Sequence, residues 1–282
     1  MSALDSRLHA FRADLADSRL KGIIDAARYA EGDLRRVYAP VVPVRHEPQA
    51  DAMQITQAVM GERCRVFDLR EGWAWVQLET DGYVGYVAEN ALAPDIDEPT
   101  DRVCVPSTFI YPVANIKSQP VIPIPMNARI VVAGVDGKFA MLKDGGFLLA
   151  AHLRPVNQNE ADFVAVAERF HHAPYLWGGK SAWGLDCSGL VQLSLEASGI
   201  ACPRDTDMQE KALGRALMVN DLDSLRRGDL VFWKSHVGIM TDERSLLHAN
   251  GHHMLVALEP LEKAAARIEA NDGDITAIKR LL

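Results

Sequence analysis

Residues 175–189 read Tyr-Leu-Trp-Gly-Gly-Lys-Ser-Ala-Trp-Gly-Leu-Asp-Cys-Ser-Gly, a glycine-rich loop that runs directly into a cysteine. Leu190, Val191, Ser194, Leu195 and Ala197 then recur at helical spacing, with Asp186 placed to cap the run and Gly199 to end it. Cys187 is thereby predicted in the first turn of a helix. Unpaired N–H groups and the helix dipole favour a thiolate over a thiol at such a position. A thiolate nucleophile also needs a base to take its proton and donors to stabilise what it attacks. Downstream, His236 and His248 are the candidate partners.

The two histidines lie on predicted strands, 236–240 and 246–249, joined by the turn-like Thr241-Asp242-Glu243-Arg244. An odd-length loop, such as one of three residues, puts them opposite or diagonal on one face of the hairpin, and a two-residue loop puts them on opposite faces. In the first register His236 is the base and His248 orients it through the second ring nitrogen. The N–H of Cys187 is then the natural oxyanion donor, with the Tyr175 hydroxyl as a second. The bland alternatives are a core cysteine and structural histidines. Polar residues on both sides of Cys187 argue against the first, while His171, His172, His252 and His253 are read as structural, the last two in a loop near His248 with substrate contact as the alternative. A zinc site from Cys187, His236 and His248 has no Cys-x-x-Cys or His-Glu-x-x-His spacing behind it, so neither metal nor cofactor is expected.

Composition narrows the partners. The chain of 282 residues carries a net charge of −8 with no long Lys/Arg run, which argues against nucleic acid and against anionic polymers or lipid surfaces. No apolar run has signal-peptide or membrane-spanning length, so the expected location is the cytoplasm and no membrane partner is expected. Cys64, Cys104, Cys187 and Cys202 have no paired spacing and are expected as thiols, with Cys64, Cys104 and Cys202 in packing roles.

The overall pattern is α+β. Leu4, Leu8, Phe11 and Leu15 suggest a short amphipathic helix in a leading segment, 1–35, that packs along another domain. Residues 36–94 read as a small all-β barrel, with strands at 63–69, 73–78 and 83–87 and turns at Glu71-Gly72 and Asp81-Gly82. Residues 100–155 repeat that strand–turn order as a second, shorter barrel, joined through 93–100. From 159 to 282 come a helix with Phe163, Val166, Ala167 and Phe170 on one face, the Cys187 helix, and strands at 229–233, 236–240, 246–249 and 254–258, with a last one at 275–281.

Taken in order, Tyr175-x-Trp-Gly-Gly, Asp186-Cys-Ser-Gly, Pro203-Arg-Asp-Thr, Arg227-Gly-Asp-Leu-Val-Phe-Trp, His236-Val-Gly-Ile-Met and Leu247-His-Ala resemble the NlpC/P60 cysteine peptidases over about residues 160–260. The two β units resemble bacterial SH3-like domains. The resemblance implies a papain-like core that hydrolyses the γ-D-glutamyl to diamino-acid (meso-diaminopimelate) bond of murein peptides. It puts the nucleophile on Cys187, the base on His236 and the orienting residue on His248. It implies that Tyr175, Asp186, Ser188, Arg204 and Asp205 line the substrate site, with Tyr83 contributed by the first barrel.

A chain with SH3-like domains in front and no signal peptide resembles the recycling branch of the family, and this resemblance implies small murein peptides with a free N-terminal L-alanine, whose ammonium is held by acidic and tyrosyl groups. Asp205 matches one of these. The family's acidic residue ahead of a Thr-Gln pair is missing, since Thr56-Gln57 follows Met53, Gln54 and Ile55, which leaves Glu47 as a substitute. Competing readings are hydrolysis of intact peptidoglycan stem peptides, acyl transfer by the same thiolate, and an inactive peptide-binding SH3-like protein. Nothing in the sequence fixes the oligomeric state.

Overall fold

The computed structural model describes residues 4–219 and 222–281. The chain divides after Asn157 into two compact units.

In the N-terminal unit, seven antiparallel strands form one sheet in the spatial order Gln54–Val59, Val41–Arg45, Val84–Ala88, Trp73–Leu78, Arg63–Arg70, Asp33–Val37 and Leu92–Pro94. Alternating residues on the central strands bury Val66, Ala74, Val76 and Val87. The sheet begins at Asp33, three residues before the expected boundary at 36, because Asp33 pairs with Val66.

The leading segment is not helical among its described residues. It makes turns, a short 3₁₀ turn at Ser18–Leu20 and a two-residue pairing of Ala16–Asp17 with Tyr29–Ala30. The reason is that its backbone is used elsewhere. The Arg7 carbonyl accepts from Val84 N at 2.8 Å, and the Leu8 carbonyl accepts from Gln77 Nε2 at 2.7 Å. A helix would have consumed those acceptors internally. Ala10 and Leu15 are buried against Phe67, Trp75 and Val84, so the segment does pack along the barrel. Trp75 belongs to this core and carries the Arg12 guanidinium 4.3 Å from its ring centre.

The second β module is built from three small sheets rather than one. They share a core of Val103, Ile124, Ala128, Ile130 and Leu148. Its strands are short and interrupted, with Arg129–Ile130 separate from Val132–Asp136 and Phe147–Leu149 separate from Leu153–Pro155.

The C-terminal unit has one six-stranded antiparallel sheet, ordered Arg215–Leu217, Ala277–Arg280, Asp229–Trp233, His236–Met240, Ser245–Asn250 and Leu255–Pro260. The last strand of the chain is inserted between the first two in sequence order. Helices α1 (Phe163–Glu168) and α2 (Cys187–Ala197) pack together, and α2 lies on the strands His236–Met240 and Ser245–Asn250. Every residue of α2 except Glu196 is buried, so the amphipathic reading of this segment understated its burial. Two of its buried polar side chains bond to main chain: Gln192 Nε2 donates to Cys202 O at 3.1 Å and Ser194 Oγ to Leu190 O at 2.7 Å.

Two further helices, α3 (Thr206–Ala212) and α4 (Leu261–Asp272), do not feature in the sequence reading. Leu261, Ala264 and Ile268 of α4 form a stripe at helical spacing that packs on Trp233, Met240 and Leu246.

The start of α2 depends on glycine. A Cβ on Gly189 would stand 2.1 Å from the Gly179 carbonyl oxygen, inside backbone that has nowhere to move. Gly189→Ala is therefore expected to destabilise the C-terminal unit by about 2 kcal/mol or more. Gly251→Ala, where nothing lies within 4 Å, should be near neutral. Urea unfolding followed by tryptophan fluorescence checks both.

Candidate active site

Asp186 caps α2, and its carboxylate ties the surrounding segments together. Oδ1 accepts from Gly189 N at 2.7 Å, and Oδ2 accepts from Gly178 N at 2.8 Å in the glycine loop. Arg204, 1% exposed, donates to the same carboxylate through Nη2 at 2.6 Å and Nη1 at 3.0 Å. Its Nη1 also reaches Ser188 Oγ at 2.8 Å. Buried charges that each find a partner in this way escape most of their desolvation penalty.

Cys187 is the first residue of α2, where a helix leaves N–H groups without intrahelical acceptors. Its sulfur lies 3.8 Å from Thr206 Oγ1 and 3.9 Å from the Ser235 carbonyl oxygen. A backbone contact from Val237 also reaches it. Ser235 and Val237 flank His236, so the main chain on either side of that histidine touches the sulfur. Ser235 takes a left-handed conformation, φ +62°, in the two-residue turn between Trp233 and His236. For a residue with a Cβ this costs about 1 kcal/mol, strain held beside a reactive group.

The hairpin register brings the histidines together. Ile239 opposes Leu247 and Met240 opposes Leu246, and Thr241 N bonds to Ser245 O, leaving residues 242–244 as a three-residue loop. His236 and His248 thus fall diagonally on one face, with His236 Nε2 2.8 Å from His248 Nδ1. His248 is 0% exposed.

The relay continues past the residues read from sequence. His248 Nε2 lies 2.8 Å from Glu259 Oε1, on the neighbouring strand, and Arg267 of α4 donates to Glu259 Oε2 at 2.8 Å. Glu259 stands two residues beyond Ala257, the direct partner of His248, so strand alternation puts it on the same face. That alternation was the available signal, but it needed the register of a strand whose end was placed one residue short of Glu259.

Among the described residues, His248, His253 and Glu259 bring metal-ligand atoms within 4.8 Å of one another. A cation there would have to compete with the guanidinium of Arg267. A cavity of about 320 Å³ borders the relay, lined by Lys234, His236, His248, Asn250 and Arg267.

Tyr175 joins the same neighbourhood. Burial, Cys187 and Asp186 push its hydroxyl up to about 12. Asp205 sits partly exposed at the start of α3 and does not cap its own helix. Tyr83 belongs to the N-terminal unit and is 4% exposed. The structure therefore gathers Tyr175, Asp186, Cys187, Ser188 and Arg204 around the start of α2, and His236 and His248 at the hairpin.

The charge state differs from the helix-dipole expectation. Burial first, and the Asp186 carboxylate second, push the Cys187 thiol up to about 11, outweighing hydrogen bonds that favour the thiolate. Burial and the neighbouring His248 push His236 down to about 3. Burial also lowers His248, against the pull of Glu259. The resting pair is a neutral thiol and a neutral imidazole. Of the other cysteines, Cys64 and Cys202 are buried and Cys104 is half-buried, and none of the four is in a disulfide.

This arrangement is that of an α+β cysteine peptidase with an SH3-like N-terminal region ahead of its catalytic unit in sequence. Residues 172–267 match the NlpC/P60 family and residues 44–92 match the bacterial dipeptidyl-peptidase Sh3 domain. The chain is 34% identical over 111 residues to the probable endopeptidase NlpC of Escherichia coli, covering 34% of this chain and 70% of that one. It is 26% identical over 239 residues to the gamma-D-glutamyl-L-lysine dipeptidyl-peptidase of Bacillus cereus, covering 73% of this chain and 70% of the relative. A crystal structure of an NlpC/P60 family protein from Bacillus cereus shares the fold, with a TM-score of 0.75 at 20% identity over 89% of this chain and all (100%) of that one. The chain belongs to the NlpC/P60 family.

The neutral resting pair sets an expectation for reactivity. The rate at which iodoacetamide alkylates Cys187, read by peptide mass spectrometry, should rise steadily through pH 8–10, following a thiol held near 11. A plateau already reached below about pH 7, the mark of a thiolate–imidazolium pair, would contradict it.

Proposed function

We propose that the protein is a cysteine endopeptidase that cleaves the γ-D-glutamyl to diamino-acid bond of murein peptides carrying a free N-terminal L-alanine. The observation that carries this reading is Cys187 at a helix start, its sulfur set against the backbone that brackets His236, with His236 bonded to His248. The bond class is supported by the 26% identity to a peptidase named for the γ-D-glutamyl-L-lysine bond. Lysine and meso-diaminopimelate present the same α-amine to the γ-glutamyl carbonyl and differ by a carboxylate at the far end of the side chain. We assign meso-diaminopimelate as the preferred partner and test both.

In this mechanism His236 takes the proton from Cys187 as the sulfur attacks the γ-carbonyl carbon. A neutral resting pair favours proton transfer in step with attack rather than before it. The new C–S bond makes a tetrahedral oxyanion, which the Cys187 N–H and the Tyr175 hydroxyl stabilise. The oxyanion collapses, the C–N bond breaks, and the proton on His236 passes to the leaving amine. Water, deprotonated by His236, then attacks the thioester, releases the L-Ala-γ-D-Glu carboxylate and restores the thiol. His248 holds the ring of His236 throughout.

Asp205 is assigned to the substrate ammonium. An ammonium held in a desolvated pocket needs an anionic partner, and a pocket built for one rejects an acylated N-terminus. We further assign the enzyme to recycling of small wall peptides in the cytoplasm, a role that suits an acidic chain of net charge −8 with little attraction for anionic wall polymers.

The test is cleavage of L-Ala-γ-D-Glu-meso-diaminopimelate and of the lysine analogue, each with and without an N-acetyl cap, by mass spectrometry. Release of L-Ala-γ-D-Glu from the uncapped peptides alone is expected, with Asp205→Ala raising KM chiefly for those substrates. Equal cleavage of capped and uncapped peptides would contradict the ammonium pocket.

A further inference from the structure

We propose that Glu259 is a positioning residue that dictates, through His248, which nitrogen of His236 carries the proton and which is left to act as base. The inference rests on the cysteine-peptidase reading above.

The argument follows from what each group can donate and accept. An ionised carboxylate only accepts hydrogen bonds, so the 2.8 Å contact between Glu259 Oε1 and His248 Nε2 requires the hydrogen on Nε2. A neutral imidazole has one donor and one acceptor, so His248 Nδ1 is left with a lone pair. That atom lies 2.8 Å from His236 Nε2, which must therefore carry the hydrogen of the second bond. His236 Nδ1 then keeps its lone pair. This is the ring nitrogen outside the relay and the one left for the thiol proton. Without a fixed acceptor at the far end, the opposite pattern satisfies the histidine–histidine bond equally well and leaves His236 Nδ1 protonated and useless as a base.

The charged and titratable groups around the relay support a fixed carboxylate. His236 faces His248 from the adjacent strand, Arg267 faces Glu259 from α4, and His253 lies close by, its ring held at 3.0 Å by Asn250 Oδ1. Burial alone would favour a protonated Glu259. Hydrogen bonds from Arg267 and His248 outweigh it and hold the carboxyl well below the usual carboxylate range. Arg267 therefore keeps Glu259 an acceptor, while Glu259 sets the proton pattern.

Two substitutions separate these roles. In Glu259→Gln the side-chain oxygen is claimed by Arg267, which can only donate, and the amide N–H₂ is turned toward His248. That reverses the whole chain. In Arg267→Gln the carboxylate remains and the chain keeps its direction. Nitrogen-15 chemical shifts of the imidazole rings read the pattern directly. Wild type and R267Q should show His236 protonated at Nε2, and E259Q should show it protonated at Nδ1. On the peptide substrate, E259Q should lose kcat by about a hundred-fold with KM little changed, R267Q should lose far less, and E259D should recover much of the loss.

A purely structural ion pair would make E259Q and R267Q equally damaging, and that result overturns the inference. So does a wild-type His236 protonated at Nδ1, a measurement that needs no variant to fold. If the wild type cleaves no γ-D-glutamyl peptide, the proposed substrate fails, while the nitrogen-15 pattern still decides the role of Glu259.

Discussion

The catalytic unit is organised around the buried carboxylate of Asp186. It caps α2 at Gly189, holds the glycine loop at Gly178 and takes two hydrogen bonds from Arg204, which in turn holds Ser188. The glycine loop, the start of α2 and the segment at Arg204 are thus referenced to one group, and Cys187 is the residue beside it. Ion pairs this deep contribute little net stability, but removing one partner strands a charge in the interior. The pair therefore specifies the geometry of the helix start more than it strengthens the fold. It also has a chemical consequence, because the same negative charge raises the cysteine that it positions.

That consequence gives the site its character. Helix position alone would lower the thiol, whereas burial and Asp186 raise it, and burial lowers His236 as well. Both reacting groups rest neutral, and neither spends the resting state as a buried ion. The cost is a base that must be aimed, since a neutral imidazole works only through the nitrogen that has its lone pair. The chain of hydrogen bonds from His236 through His248 and Glu259 to Arg267, spread over three strands and a helix, supplies that aim.

Much of this was legible in the sequence, for local reasons. The Asp186 cap, the Cys187 helix and the strands 73–78, 229–233 and 236–240 rest on short-range periodicity and turn chemistry, and the structure has them at those positions. The histidine register was legible only as a condition, an odd loop, because cross-strand pairing is not a local property. Glu259 and Arg267 were missed for the same reason: their roles depend on a strand pairing and on a helix docked across it. The leading segment failed in the opposite direction. Leu4, Leu8, Phe11 and Leu15 have helical spacing, but bonds from Gln77 and Val84 to that backbone hold it in an irregular path. The thiol was misjudged because burial, which outweighed the dipole, is a property of the packed unit.

The most direct test of the account is the covalent step. Acid quenching of the enzyme during turnover of L-Ala-γ-D-Glu-meso-diaminopimelate, followed by peptide mass spectrometry, should find an L-Ala-γ-D-Glu thioester on Cys187, and none in Cys187→Ala or His236→Ala. An acyl group on another residue, or undiminished hydrolysis by Cys187→Ala, would contradict it.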